Sequence, residues 1–226
     1  MRTLALNGSP RKCWNTAQLL ESALSGAREA GSQTEMFHLF DYNYKGCISC
    51  FGCKRRNSKL CHCYFKDGLS PILEKILQTD ILLLGSPIYF GDVTGQMRNL
   101  LERLGFITLT YDNPQQKFFP GRIDSAFFYT MNIPATLAKN YGYEALFQRQ
   151  LLPLQRLGGN SQYYAAYNTL QFDDYSQYRC SYFNAAEKER SRQEDFPKDL
   201  EAAYQIGFQL VKERLALAAE EGTESN

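Results

Sequence analysis

Apolar and polar positions along this chain switch between a period of two and a period near 3.6, and the switches mark the elements. Residues 2–7 read as a short buried strand, closed by Gly8-Ser9-Pro10. Leu19, Leu20 and Leu24 then fall at helical spacing, with Asn15 as candidate N-cap and Gly31 as stop. Residues 33–39 alternate and predict a second strand. Residues 41–66 keep no period and predict a long loop. Leu69, Ile72, Leu73 and Ile76 place a short helix over 69–78. Residues 80–85 are apolar almost throughout, as in a strand buried on both faces of a parallel sheet. A loop over 86–92 leads to a helix over 94–104. A fourth strand is expected at 125–131, ended by Ile133-Pro134, and one helix over 135–157. Gly158-Gly159 breaks that helix before a fifth strand at 162–167. Residues 168–195 are polar, Tyr-rich and irregular, 196–219 reads as a last helix, and 220–226 as a frayed polar tail.

Strands alternating with helices predict an α/β fold with a doubly wound parallel sheet of five strands in the order 2-1-3-4-5, helices on both faces. A chain of 226 residues supports one such domain, here with a cysteine-rich insertion at 41–66. The N-terminal apolar run is too short for a secretory signal. No run approaches the roughly 20 apolar residues of a membrane span. The expectation is a cytoplasmic protein with no membrane partner. A net charge of +1 gives no general surface for nucleic acid.

Composition changes this picture at one place. Five of the seven cysteines fall within Cys47–Cys63. In a reducing compartment, clustered cysteines bind metal or do redox work more often than they form disulfides. Cys47, Cys50 and Cys53 stand at x2 spacing, which suits one face of an iron–sulfur cubane, and a later cysteine completes four ligands. Structural zinc usually pairs two C-x2-C knuckles across a longer spacer, so a third cysteine at this spacing favours iron–sulfur over zinc, with a solvated basic loop of reduced cysteines as the remaining alternative. Cys61 and Cys63 both qualify as the fourth ligand. His62, between them, is a weaker candidate, and His38 reads as structural. The segment 45–66 carries Lys45, Lys54, Arg55, Arg56, Lys59 and Lys66 with no Asp or Glu. Such a cationic setting stabilises thiolates and could dock an acidic electron carrier. Cys13 and Cys180 are isolated free thiols.

Two further loops carry candidate chemistry. Between the first strand and first helix, the helix start offers free N–H groups to a phosphate, with Ser9, Arg11, Asn15 and Thr16 adding hydroxyl, guanidinium and amide donors. The loop has neither the G-x-G-x-x-G nor the Walker A pattern. The segment Gly85-Ser86-Pro87-Ile88-Tyr89-Phe90-Gly91 ends the third strand, where open α/β sheets bind ligands, and supplies aromatic walls. An ordinary capped turn and a buried aromatic loop would leave the same traces singly. Their co-occurrence favours a nucleotide-like cofactor.

Asn7-Gly8-Ser9-Pro10-Arg11, Asn15-Thr16 and Gly85 to Gly91 together resemble the NADPH-dependent FMN reductase family, and the cysteine loop resembles that family's iron–sulfur flavoprotein branch. Lys66-Asp67-Gly68-Leu69 and Asp199-Leu200-Glu201 are similar to its later motifs. The resemblance implies a flavodoxin-like fold, with FMN phosphate on Ser9, Arg11, Asn15 and Thr16. It implies isoalloxazine beside Pro87, Ile88, Tyr89, Phe90 and Gly91, with Thr130 and Met131 closing a third side. It further implies a 4Fe–4S cluster, NAD(P)H or a ferredoxin-like protein as electron donor, a small-molecule or protein acceptor, and a homo-oligomer. No side-chain nucleophile or general acid is needed, so no catalytic residue is assigned. A non-catalytic flavodoxin-like carrier and a cysteine-based redox sensor or zinc module are the competing classes.

Overall fold

Leu4 and Leu6 of the first strand pack on one side of a sheet and Ala5 on the other. The same division holds for Leu82 and Leu84 against Ile81 and Leu83, and for Phe127 and Tyr129 against Ala126 and Phe128. A strand with period-two side chains and both faces covered must be apolar at nearly every position, which is why these segments stand out in the sequence.

The structure is a computed structural model and describes residues 1–112 and 118–223. The chain runs β1 (Arg2–Asn7), α1 (Asn15–Glu29), β2 (Gln33–His38), α2 (Ser70–Ile76), β3 (Ile81–Tyr89), β4 (Asp92–Val93), α3 (Gly95–Thr108), β5 (Ile123–Thr130), α4 (Ala135–Asn140), α5 (Tyr143–Gln155), β6 (Gly158–Ala166), α6 (Ala185–Glu194) and α7 (Phe196–Thr223). Five strands are parallel, in the order β2-β1-β3-β5-β6, and β4 pairs antiparallel with β3. The expected order 2-1-3-4-5 is corrected by that extra two-residue strand. β1 registers Leu4 against Glu35 on one side and Leu82 on the other.

One layer of helices is α1 and α7, and the other is α2, α3 and α5. α1 and α7 lie close: a Cβ on Gly207 would stand 1.9 Å from the Ala23 carbonyl oxygen, and one on Gly26 2.1 Å from that of Tyr204.

Several expectations are revised. β3 runs to Tyr89 instead of ending at Gly85, because Ile88 and Tyr89 pair with Val93 and Asp92. The single helix over 135–157 is two, broken at Gly142 with φ +71°. Asn15 does not cap α1: Trp14 occupies that position, without a side-chain cap bond. The segment 168–195 contains α6, capped by the Asn184 side chain on the Glu187 N–H. α7 extends to Thr223, and the last part of the expected tail, 224–226, lies outside the described residues. No helix among the described residues is long and apolar enough to cross a membrane.

Candidate functional site

The loop after β1 begins with two nested turns. The Ser9 N–H donates to Asn7 Oδ1 at 2.9 Å, and the Arg11 N–H donates to Ser9 Oγ at 3.1 Å. Asn7 Nδ2 in turn reaches His38 Nδ1 at 3.0 Å, which gives His38 its structural role. The helix that follows starts without a side-chain cap. Its first N–H groups and those of the loop, from Lys12 to Thr16, have no acceptor among the described residues. An uncapped helix start is a set of aligned donors carrying the positive end of a dipole.

Ser9, Arg11, Asn15 and Thr16 line one cleft with Pro87, Ile88, Tyr89, Thr130 and Met131. Nine of the eleven residues expected to hold a cofactor thus meet at the C-terminal ends of β1, β3 and β5. Phe90 and Gly91 do not line it. They form the two-residue turn between β3 and β4, with φ of +50° and +83°, and Phe90 is fully exposed. Positive φ at both positions is what a tight hairpin of this kind requires.

Below the hairpin, Thr94 joins two loops. Its hydroxyl donates to the Gly8 carbonyl at 2.6 Å and accepts from the Met97 N–H at 3.3 Å, so it both caps α3 and fixes the first loop. Thr16 and Thr130 are joined through their hydroxyls.

From the sequence, residues 163–182 are expected only in general terms, as a cover for the flavin edge or a subunit interface, and the residues that form the far wall are not singled out. Residues Thr169, Leu170 and Gln171, after β6, fold over the cleft. The Leu170 carbonyl accepts from Trp14 Nε1 at 3.0 Å and Asn15 Nδ2 at 2.8 Å, and the Gln171 carbonyl from Arg11 Nη1 at 2.7 Å. Asn132 also lines the cleft and donates through Nδ2 to Gln171 Oε1. Lys188 of α6 is buried and bridges the two loops, donating to the Asn132 carbonyl and Asn168 Oδ1. Burial lowers its ammonium to about 8. No motif marks Leu170 and Gln171, because their backbone carbonyls do the bonding to Trp14, Asn15 and Arg11.

A second cavity lies in the cysteine loop. Cys47, Cys50, Cys53 and Cys63 line it, with apolar walls from Ile48, Phe51, Phe65, Phe106 and Ile107 and with Arg103. Cys61 does not line it. That residue turns away at φ +53° and is buried in the core. Ser49 and Phe51 hold φ of +53° and +51°, folding the three spaced cysteines round one small space. Burial pushes the Cys53 thiol up, with the Lys54 ammonium pulling it down and the Cys63 and Cys47 thiols adding to the rise. Lys54 is anchored by the Phe106 and Leu109 carbonyls at the end of α3. His62 stands edge-on to Tyr64, outside the cavity, its Nδ1 4.0 Å from Glu74 Oε1. No group of three or more His, Cys, Asp or Glu side chains among the described residues is arranged to hold a metal ion.

With this geometry in view, the family model for NADPH-dependent FMN reductase matches residues 1–130. The chain belongs to that family. The matched part takes in the loop after β1, the cysteine loop and the β3–β4 hairpin. Among curated relatives, an iron–sulfur flavoprotein of Archaeoglobus fulgidus is 40% identical over 103 residues, which is 46% of this chain and 48% of its own length. An iron–sulfur flavoprotein of Methanocaldococcus jannaschii is 37% identical over 103 residues, 46% of this chain and 51% of its own. The chain thus spans about half the length of these relatives. Among solved structures, an NAD(P)H:quinone oxidoreductase from Methanothermobacter marburgensis superposes with a TM-score of 0.65 at 15% identity, covering 93% of this chain and 96% of that one. The azoreductase AzrA gives 0.64 at 12% identity, covering 92% and 100%. These two share the flavodoxin-like fold.

Proposed function

We propose that this chain is a flavin-dependent oxidoreductase. It binds FMN in the cleft above β1, β3 and β5 and a four-iron cluster in the cysteine loop, and moves electrons between NAD(P)H or a protein carrier and an acceptor. The observation that carries this reading is the uncapped start of α1, whose N–H groups have no acceptor among the described residues and open on a cleft walled by Pro87, Ile88 and Tyr89.

The donor set fits a flavin phosphate. The N–H groups from Lys12 to Thr16 bind the anion, and Arg11 adds a charge-assisted bond. Pro87–Tyr89 and Met131 supply the flat apolar flanks, with Asn132 a polar group beside them. The thiol set fits a cubane. Cys47, Cys50, Cys53 and Cys63 line one small cavity, and these four thiolates would be the ligands of such a cluster. Cys63 is the fourth ligand in this reading, and Cys61 is a core residue. When bound, FMN supplies hydride and single-electron chemistry and the cluster passes electrons one at a time.

The protein's share is placement and charge. Lys188 holds the two loops of the far wall together, and Thr94 fixes the near one. Ile48, Phe51, Leu60 and Tyr64 are exposed beside the basic run Arg55, Arg56 and Lys59. That surface suits an acidic, ferredoxin-like carrier. Free thiols of this kind fit a reducing cytosol.

Anaerobic purification with flavin, iron and sulfide analysis tests the reading. Bound FMN and about four irons per chain are expected. Protein that takes up neither FMN nor iron on anaerobic reconstitution would overturn it.

A further inference from the structure

Arg103 is the largest fully buried side chain, 1% exposed, and it sits in the wall of the cysteine cavity. Its Nη1 donates to the Lys45 carbonyl at 3.2 Å and to Asp67 Oδ2 at 2.8 Å, and its Nη2 donates to the Phe65 carbonyl at 2.8 Å. Lys45 lies two residues before Cys47, and Phe65 two residues after Cys63. One guanidinium therefore clamps both stems of the loop. Asp67 completes the clamp by accepting from the Lys45 and Leu69 N–H groups.

The clamp leaves one donor over. Nε of Arg103 is buried and has no acceptor among the described residues. A buried N–H without a partner is costly, and here it belongs to a cation that walls a cavity of four thiols. Lys54, a half-buried cation beside these thiols, already has two carbonyl acceptors.

We propose that Arg103 is a positioning residue for the iron–sulfur cluster and sets its reduction potential. This rests on the cluster reading given above. Four thiolates and their irons carry net negative charge, and reduction adds one more. Net charge and hydrogen bonds to the sulfurs are among the quantities that fix such potentials. A buried guanidinium favours the reduced, more negative state and raises the potential. Asp67, 2.8 Å away, partly cancels it and lowers the potential. The pair is a matched set: removing either charge shifts the cluster, in opposite directions.

The experiment is an EPR-monitored redox titration of the anaerobically purified full chain, with iron and FMN content measured on the same samples. Arg103→Gln keeps an amide that can reach a carbonyl but removes the charge, and its cluster potential is expected to fall. Asp67→Asn keeps the shape and leaves the guanidinium unopposed, and its potential is expected to rise. Opposed shifts are a result that a purely structural clamp does not give, because loosening the loop from either side acts alike. Potentials that do not move, or that move in the same direction, overturn the inference. If Arg103→Gln does not fold, Asp67→Asn decides alone, and an unshifted or lowered potential overturns it. A wild-type chain that binds FMN but no iron overturns the cluster reading and this inference with it. Iron-loaded wild type with unshifted variants overturns the inference alone.

Discussion

The hydroxyl oxygens of Thr16 and Thr130 lie 2.8 Å apart and both residues are buried. They join the first turn of α1 to the end of β5 across the floor of the cleft. One hydroxyl proton bridges the pair and the other remains to be given. Thr130→Val strands the Thr16 hydroxyl and should cost about 1–3 kcal/mol. The double variant Thr16→Val/Thr130→Val should cost less than the two singles summed. Urea denaturation of all three checks this. Additive losses would mean that the two hydroxyls act independently.

Arg11→Ala removes the charged donor of the first loop. FMN affinity should fall about tenfold, the lower end for a charge-assisted hydrogen bond at an exposed position. Lys12→Ala is the control, since the Lys12 ammonium is held 2.6 Å from Asp41. Titration of FMN fluorescence separates the two. Equal effects would argue for a diffuse basic field.

The layout of this fold was readable in the chain where burial dictates composition. β1, β3 and β5 have no wet side, so each shows as an apolar run. α6 was not readable for the opposite reason. Its buried residues are Lys188 and Ser191, and its support comes from the Asn184 cap and the Gln193–Glu189 and Arg190–Glu194 pairs. No apolar stripe announces such a helix. β4 was hidden because two residues carry no period. The near side of the cleft was legible from side-chain donors in motifs. Its far side, Thr169–Gln171, is made by carbonyls that every sequence has. Cys61 and Cys63 could not be ranked by spacing, because a single left-handed φ at Cys61 decides which one faces the cavity.

Cys63→Ser and Cys61→Ser should therefore differ in kind. The first should lower iron and acid-labile sulfide per FMN. The second should keep the iron and lose stability, by about 1–3 kcal/mol, because it places a hydroxyl among apolar core residues. Metal analysis and thermal melts on the same preparations check both. Iron loss from Cys61→Ser with full iron in Cys63→Ser would reverse the assignment.

Asp199 of α7 accepts from the Tyr164 hydroxyl at 2.7 Å. Burial raises its carboxyl from 3.8 to about 6, with the Tyr164 bond pulling the other way. Between those values the folded chain binds more protons than the unfolded one, so stability falls as pH rises from about 4 to about 6. Asp199→Asn stays neutral throughout and should flatten that part of the profile. Melting temperatures measured at intervals from pH 4 to 7 test it; a slope unchanged from wild type would remove Asp199 as the cause.

α3 begins at the Thr94 cap, which bonds the loop after β1, and carries Arg103 nine residues later in the wall of the cysteine cavity. At 1.5 Å per residue those two points stand about 14 Å apart along a rod. The separation of these two anchor points is thus set by helical rise and not by a linker. Adding or removing one residue of α3 between them would therefore also turn Arg103 by about 100° out of the cavity wall.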